Sequence, residues 1–262
     1  MMQNSLKEKF PRWFEDLNPN KHYLVMSDDY DSYFSCKVLM DLFNLEIGGF
    51  FQFNSGLWLN SERTDNKQPI YVDLSIAKGM TFDNHMTFIK NPLAINPNII
   101  TTNYFRKYNG STLALICSLY DYDITDTKRL TTLLCVDGWY YGYYNENGTF
   151  RYVNVDWYEK FGMEDKLLPI LETNSEDYFT NHIEKYNINA KITMTNNKLH
   201  CDTNIPLPDC SYKLALPVHR YTSNKEQVQS IYEEDPDCII TSAETYKNRY
   251  CYSRKDNRYD EI

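Results

Sequence analysis

The sequence predicts an α/β fold, with a mostly parallel sheet in the N-terminal domain and a smaller α/β domain at the C-terminus. Three observations carry this reading. Short apolar runs, His22 to Met26, Gly49 to Phe53 and Ile70 to Leu74, have the composition of strands. Phe34, Val38, Leu39, Leu42 and Phe43 recur at helical spacing after the first run. Strands alternating with helices in this way build parallel sheets.

Taken in order, the first strand stops at Ser27-Asp28-Asp29-Tyr30-Asp31-Ser32, a polar loop in which Ser32 is placed to cap the following helix. The second strand is followed by a polar stretch through Asn66, and the third carries Asp73 near its end. Thr112 to Tyr120 and Thr125 to Val136 read as helices, the second broken by Asp137-Gly138. Residues 1–160 are assigned to the first domain and 161–188 to a helical connector. Residues 189–262 are assigned to the smaller domain, with alternating patterns at Ala190 to Met194, Tyr212 to Val218, Asp237 to Ser242 and Arg249 to Ser253. Its helix is expected at Asn224 to Glu233.

The 262 residues carry a formal charge of −9. That balance excludes a protein that simply coats nucleic acid, because neutralising phosphates needs an accessible excess of Lys and Arg. It leaves a small substrate, metals that supply the missing positive charge, or a protein partner. A homo-oligomer stays open as well. The seven cysteines form no CxxC pair and several lie in apolar runs, so they read as reduced core residues. The polar start has no apolar signal region, and no apolar stretch is long enough for a membrane helix. A cytoplasmic protein without membrane contact is the resulting expectation.

Chemistry gathers at the acidic residues. Asp29 and Asp31 share one loop, Asp73 ends a strand, Asp83-Asn84-His85 follows, and Asp137 closes a helix. Hard divalent cations prefer such oxygen-rich sets with an occasional imidazole. A pair of ions sharing one carboxylate suits in-line phosphoryl displacement. Aspartates at strand ends also cap helices and turns, so single residues do not separate the two roles. Their order along the chain does.

That order resembles the DHH phosphoesterase superfamily, and within it the RecJ-type single-strand exonucleases and their oligonucleotide- and cyclic-dinucleotide-cleaving relatives. The likeness covers roughly residues 21–140. Val25 to Ser32 looks like the first motif and Tyr71-Val-Asp-Leu74 like the second. Asp83-Asn84-His85 stands at the name-giving triplet, followed by Ala94-Ile-Asn-Pro-Asn98 and Gly110-Ser-Thr-Leu-Ala114. Leu134-Cys-Val-Asp137 resembles the fourth motif. The resemblance implies Mn²⁺ or Mg²⁺ held by Asp29, Asp31, Asp73 and Asp137, with Asp73 bridging. It implies a catalytic role for Asp73 and His85, with His85 and Asn84 beside the substrate phosphate.

Four departures accompany the likeness, one of them Ser32 in place of the glycine that commonly follows the second acid of the first motif. Ser27 replaces the usual His or Asp, Asn84 replaces the first histidine of the triplet, and the family's glycine-rich GGGH-type segment is missing. Arg254 lies in a basic, tyrosine-interleaved tail with Arg249, Lys255 and Arg258 that could pair with phosphates and stack on bases. The run Trp139 to Tyr144 is either core or a stacking wall for a nucleobase. Two functions follow as expectations: a metal-dependent phosphodiesterase acting on short single-stranded oligonucleotides or cyclic dinucleotides, or a weakened relative that binds a nucleotide or protein without cleavage.

Overall fold

The computed structural model describes residues 1–87, 89–100, 103–145, 150–222, 225–234, 240–242 and 250–253. The first half contains α1 (Asn4–Lys7), β1 (His22–Met26), α2 (Tyr30–Phe43), β2 (Ile47–Gln52) and β3 (Gly56–Asn60). Next come β4 (Gln68–Val72), β5 (Met80–Phe82), β6 (Ala94–Ile95), α3 (Thr112–Leu119) and α4 (Thr127–Cys135). A run of helices follows: α5 (Tyr141–Tyr144), α6 (Arg151–Lys160), α7 (Glu164–Thr173) and α8 (Glu176–Tyr186). The remainder is β7 (Ile192–Thr195), β8 (Lys198–Cys201), β9 (Tyr212–Thr222), α9 (Lys225–Glu234), β10 (Ile240–Ser242) and β11 (Tyr250–Ser253).

Among the described residues, nine strands form one sheet in the order β10-β11-β9-β3-β2-β1-β4-β5-β6. The five strands from β2 to β6 through β1 run parallel, as the alternating pattern predicts. β1 is buried along its whole length, with Leu24 and Met26 in the core on one face and Tyr23 and Val25 in the core on the other. A central parallel strand covered on both sides accounts for its unbroken apolar run.

The C-terminal strands β9, β11 and β10 extend the same sheet. β9 runs antiparallel to β3, from Gly56↔Pro217 to Asn60↔Tyr212, and β11 and β10 continue outward from it. The boundary expected at residue 189 is therefore no break in the sheet. The reason is β3 itself: it pairs with β2 on one side and leaves a row of backbone donors and acceptors on the other, which β9 satisfies. Only the β7–β8 hairpin forms a separate small sheet among the described residues.

One local expectation also changes. Asp29, not Ser32, caps α2, its carboxylate accepting the Ser32 amide at 3.2 Å. Ser32 instead donates its hydroxyl to the Val72 carbonyl at 2.7 Å and accepts the Ser27 amide, tying the β1 loop to β4. The five cysteines with described surroundings are free thiols. No helix among the described residues is long and apolar enough to cross a membrane.

The topology positions the site. The chain runs from β1 to β2 on one side and returns through β3 to β4 on the other, so the direction of winding reverses between β1 and β4. Such a reversal leaves a crevice beyond the carboxyl ends of the strands. Ser27, Asp29 and Asp31 follow β1, Asp73 follows β4, and Asp83 to His85 follow β5.

Two buried histidines away from this crevice give a pH signature. Burial lowers the pKa of His22, against an opposing pull from Asp16, and lowers that of His182, aided by Lys128 and Lys185. His22 accepts the Asn18 amide on Nδ1 at 3.2 Å, a bond only its neutral form makes. A folded pKa below the unfolded value means stability is full above about 6.5 and lost as pH falls through the lowered values. A His22→Gln/His182→Gln protein is expected to lose stability less steeply than the parent between pH 7 and 5 in urea titrations. Parallel slopes would contradict this.

Candidate metal centre

Three carboxylates meet at the crevice. Ligand atoms from Asp31, Asp73 and Asp137 lie within 4.8 Å of one another, and a second set, Asp73, Asp83 and His85, meets the same limit. Asp73 belongs to both. Asp31, Asp73 and Asp83 are buried, whereas Asp137 and the His85 ring reach solvent.

Each acid is held by a particular local structure. Asp31, in the first turn of α2, accepts the Thr112 amide at 2.7 Å and the Leu113 amide at 2.8 Å, so it sits on the N-terminus of α3. Asp73 accepts hydroxyls from Ser27 at 3.1 Å and Thr112 at 3.2 Å. Asp83 accepts from Ser75, from Asn96 and from the His85 ring, whose Nδ1 lies 2.8 Å away. Asp73 and Asp137 both have left-handed backbone, with φ of 58° and 56°. Aspartate tolerates this region better than most residues, yet the conformation still costs energy, and such outliers cluster at functional sites.

The electrostatics express crowding. Burial raises the pKa of Asp31 well above the usual carboxylate range, and Asp137, Asp73 and Asp29 add to the rise. Burial does the same for Asp73, followed by Asp29, Asp137 and Asp83. Asp137 is raised by the protein packed around it and by Asp29, but His85 and Asn84 pull it back. Its exposed face lets water moderate that rise. Burial lowers the His85 pKa, but the Asp83 hydrogen bond and the surrounding carboxylates outweigh it and hold the ring at about 9. Negative charge is therefore in excess at this point.

Of the expected ligands, Asp31, Asp73 and Asp137 are brought together. Asp29 lies close enough to raise all three, but its carboxylate is engaged by the Ser32 amide and by Lys191 Nζ at 3.2 Å. Lys191 also binds Asp28 at 3.1 Å. Asn84 stands inside the cluster: its Nδ2 donates to Asp137 at 2.6 Å and to the Gly110 carbonyl at 2.8 Å. Those two acceptors fix which end of the amide is nitrogen, so Oδ1 points elsewhere, and it is buried with no partner. Arg254 lies outside the described residues. Asp83, one of the acidic group but outside the ligand set that the resemblance implies, joins Asp73 and His85 here. Its place directly before Asn84-His85 was the available signal.

A set of carboxylate oxygens with one imidazole fits a hard divalent cation. No protein-family model matches the chain, and no curated protein or solved structure matches it either. The functional reading therefore rests on the geometry of this site.

Proposed function

We propose that the chain is a DHH-like, Mn²⁺- or Mg²⁺-dependent phosphodiesterase acting on nucleotide phosphodiester bonds, in short single-stranded oligonucleotides or cyclic dinucleotides. The observation that carries it is the sharing of Asp73 between two ligand sets at neighbouring strand ends. Asp31, Asp73 and Asp137 would hold one cation, and Asp73, Asp83 and His85 the other. Bound cations would supply Lewis acidity, drawing charge from the phosphate and easing deprotonation of water. Ser27 and Thr112 orient Asp73 by donating to both its oxygens. Asp83 orients the half-exposed His85 ring within that second set. Lys191, at the rim of the acidic cleft, can turn from Asp28 and Asp29 to a substrate phosphate oxygen.

A second reading has its own support. Lys191 already neutralises Asp29, and Ser27 and Asn84 supply neutral partners to acids where ligands would strengthen a metal site. These features suit a protein that binds a nucleotide or a protein partner without cleavage. Purified protein is expected to cleave short oligonucleotides or a cyclic dinucleotide with Mn²⁺ and to lose this in Asp73→Ala. Equal background from both proteins, with nucleotide binding that survives chelator, selects the second reading and ends the first.

A further inference from the structure

The acidic crevice has a neighbour. A cleft of about 430 Å³ holds Asp29, Asp31 and Lys191, and a second of about 650 Å³ opens against it, the two sharing Asp137 and Gly138 in their walls. Asp137 and Gly138 thus border both. The second cleft is built differently. Its walls include Tyr104, Phe105, Tyr141 and Phe150, with Lys107 and Asn109 as the polar groups that matter.

Several features of this cleft lack a purpose in the folded chain alone. Phe105 is 63% exposed and Tyr141 60%, although the neighbouring Trp139, Tyr140 and Tyr143 are buried in the core. The aromatic run thus divides: most of it is core, and Tyr141 faces outward. Phe105 and Phe150 lie near parallel, with 19° between their planes and centroids 6.3 Å apart. Asn109 Oδ1 is buried without a hydrogen-bond partner. A small turn of the Asn109 side chain, which lines the cleft, would offer that acceptor to a ligand donor. Lys107 stands over the Tyr104 ring at 4.8 Å, and burial lowers its pKa against an opposing pull from Asp137.

We propose that this cleft is a nucleobase subsite, in which the exposed rings stack on the base, Asn109 accepts from its amino edge, and Lys107 meets the phosphate that crosses to Asp137. The inference rests on the phosphodiesterase reading for the phosphate's destination. The base-binding half stands on the cleft alone. Flat π-faces beside an unpaired acceptor and a cation select a heteroaromatic ring with an exocyclic amine over a sugar or an alkyl chain. Stacking tolerates many bases, so the subsite favours the presence of a base more strongly than its identity.

Calorimetry with AMP and with ribose 5-phosphate, first in EDTA and then in Mn²⁺, tests this on the full chain. AMP is expected to bind at least about 10-fold tighter than ribose 5-phosphate in both conditions. Phe105→Ala and Tyr141→Ala, exposed positions that leave the core intact, are each expected to weaken AMP by about 5- to 20-fold and to leave ribose 5-phosphate unchanged. Asp73→Ala is expected to keep AMP binding in EDTA. Equal affinity for the two ligands, or AMP binding indifferent to both aromatic substitutions in folded protein, overturns the subsite. AMP bound as expected by a protein that cleaves nothing removes the phosphodiesterase and leaves the subsite. Cleavage with no preference for AMP does the reverse.

Discussion

Asp73→Asn is expected to melt at a higher temperature than the parent protein in EDTA and to lose all response to Mn²⁺. Asp73 is buried, and its carboxylate is destabilised first by that burial and then by Asp29, Asp137 and Asp83. Asparagine keeps the size, accepts the left-handed φ of 58° and removes the charge. Relieving functional strain of this sort typically returns about 0.5–2 kcal/mol. The parent should instead gain about 2.7 kcal/mol when Mn²⁺ reaches a hundred times its Kd, a gain that depends on an intact ligand set. If the proposed chemistry holds, cleavage falls by several kcal/mol of barrier, about a thousandfold or more. Scanning fluorimetry with and without Mn²⁺ reads both effects. A variant that melts lower in EDTA, or that Mn²⁺ still stabilises, contradicts the shared-ligand account.

Asp31→Ala is expected to act in the opposite direction, although Asp31 stands in the same cluster. Its two oxygens accept the first amides of α3, and Ser111 accepts the next from Ala114. Removing the carboxylate leaves two buried amides without partners, at about 1–3 kcal/mol each. It also withdraws a negative group from a helix N-terminus. The loss is expected to reach about 3 kcal/mol or more in urea unfolding, with Asp31→Asn intermediate because it keeps one carbonyl oxygen. A variant as stable as the parent would show that α3 finds another cap. The contrast separates two duties that look identical along the chain: Asp73 is held at a cost to stability, and Asp31 anchors a helix while offering its remaining lone pairs to the crevice.

Much of this arrangement could be read before the structure. β1, β2 and β4 follow from their apolar runs and α2 from its helical spacing, and the aspartates after β1 and β4 stand where a parallel sheet gathers them. β5 and β6 could not be found that way, since three and two residues show no period. Ser32 was misplaced as a cap because Asp29 and Ser32 both suit that role by type. Only the approach of Val72 decides where the serine hydroxyl goes. Asp83 lay outside the implied ligand set, and its partners Ser75 and Asn96 come from either side of β5, a convergence that is tertiary. The pairing of β9 with β3 is equally invisible locally, since each strand's pattern records a buried face but not its neighbour.

That pairing also sets an order of events during synthesis. β3 leaves the ribosome with its partner β2 beside it, while β9 is still many codons away. Until β9 arrives, the nascent chain carries a raw strand edge bearing Leu57, Trp58 and Leu59, the kind of edge on which unfinished chains stick to one another. Asp29, Asp31, Asp73 and Asp83 are made before α4, whereas Asp137 and Lys191, which complete the acidic crevice, follow it. The sheet as a whole is complete only once β9, β11 and β10 have been made.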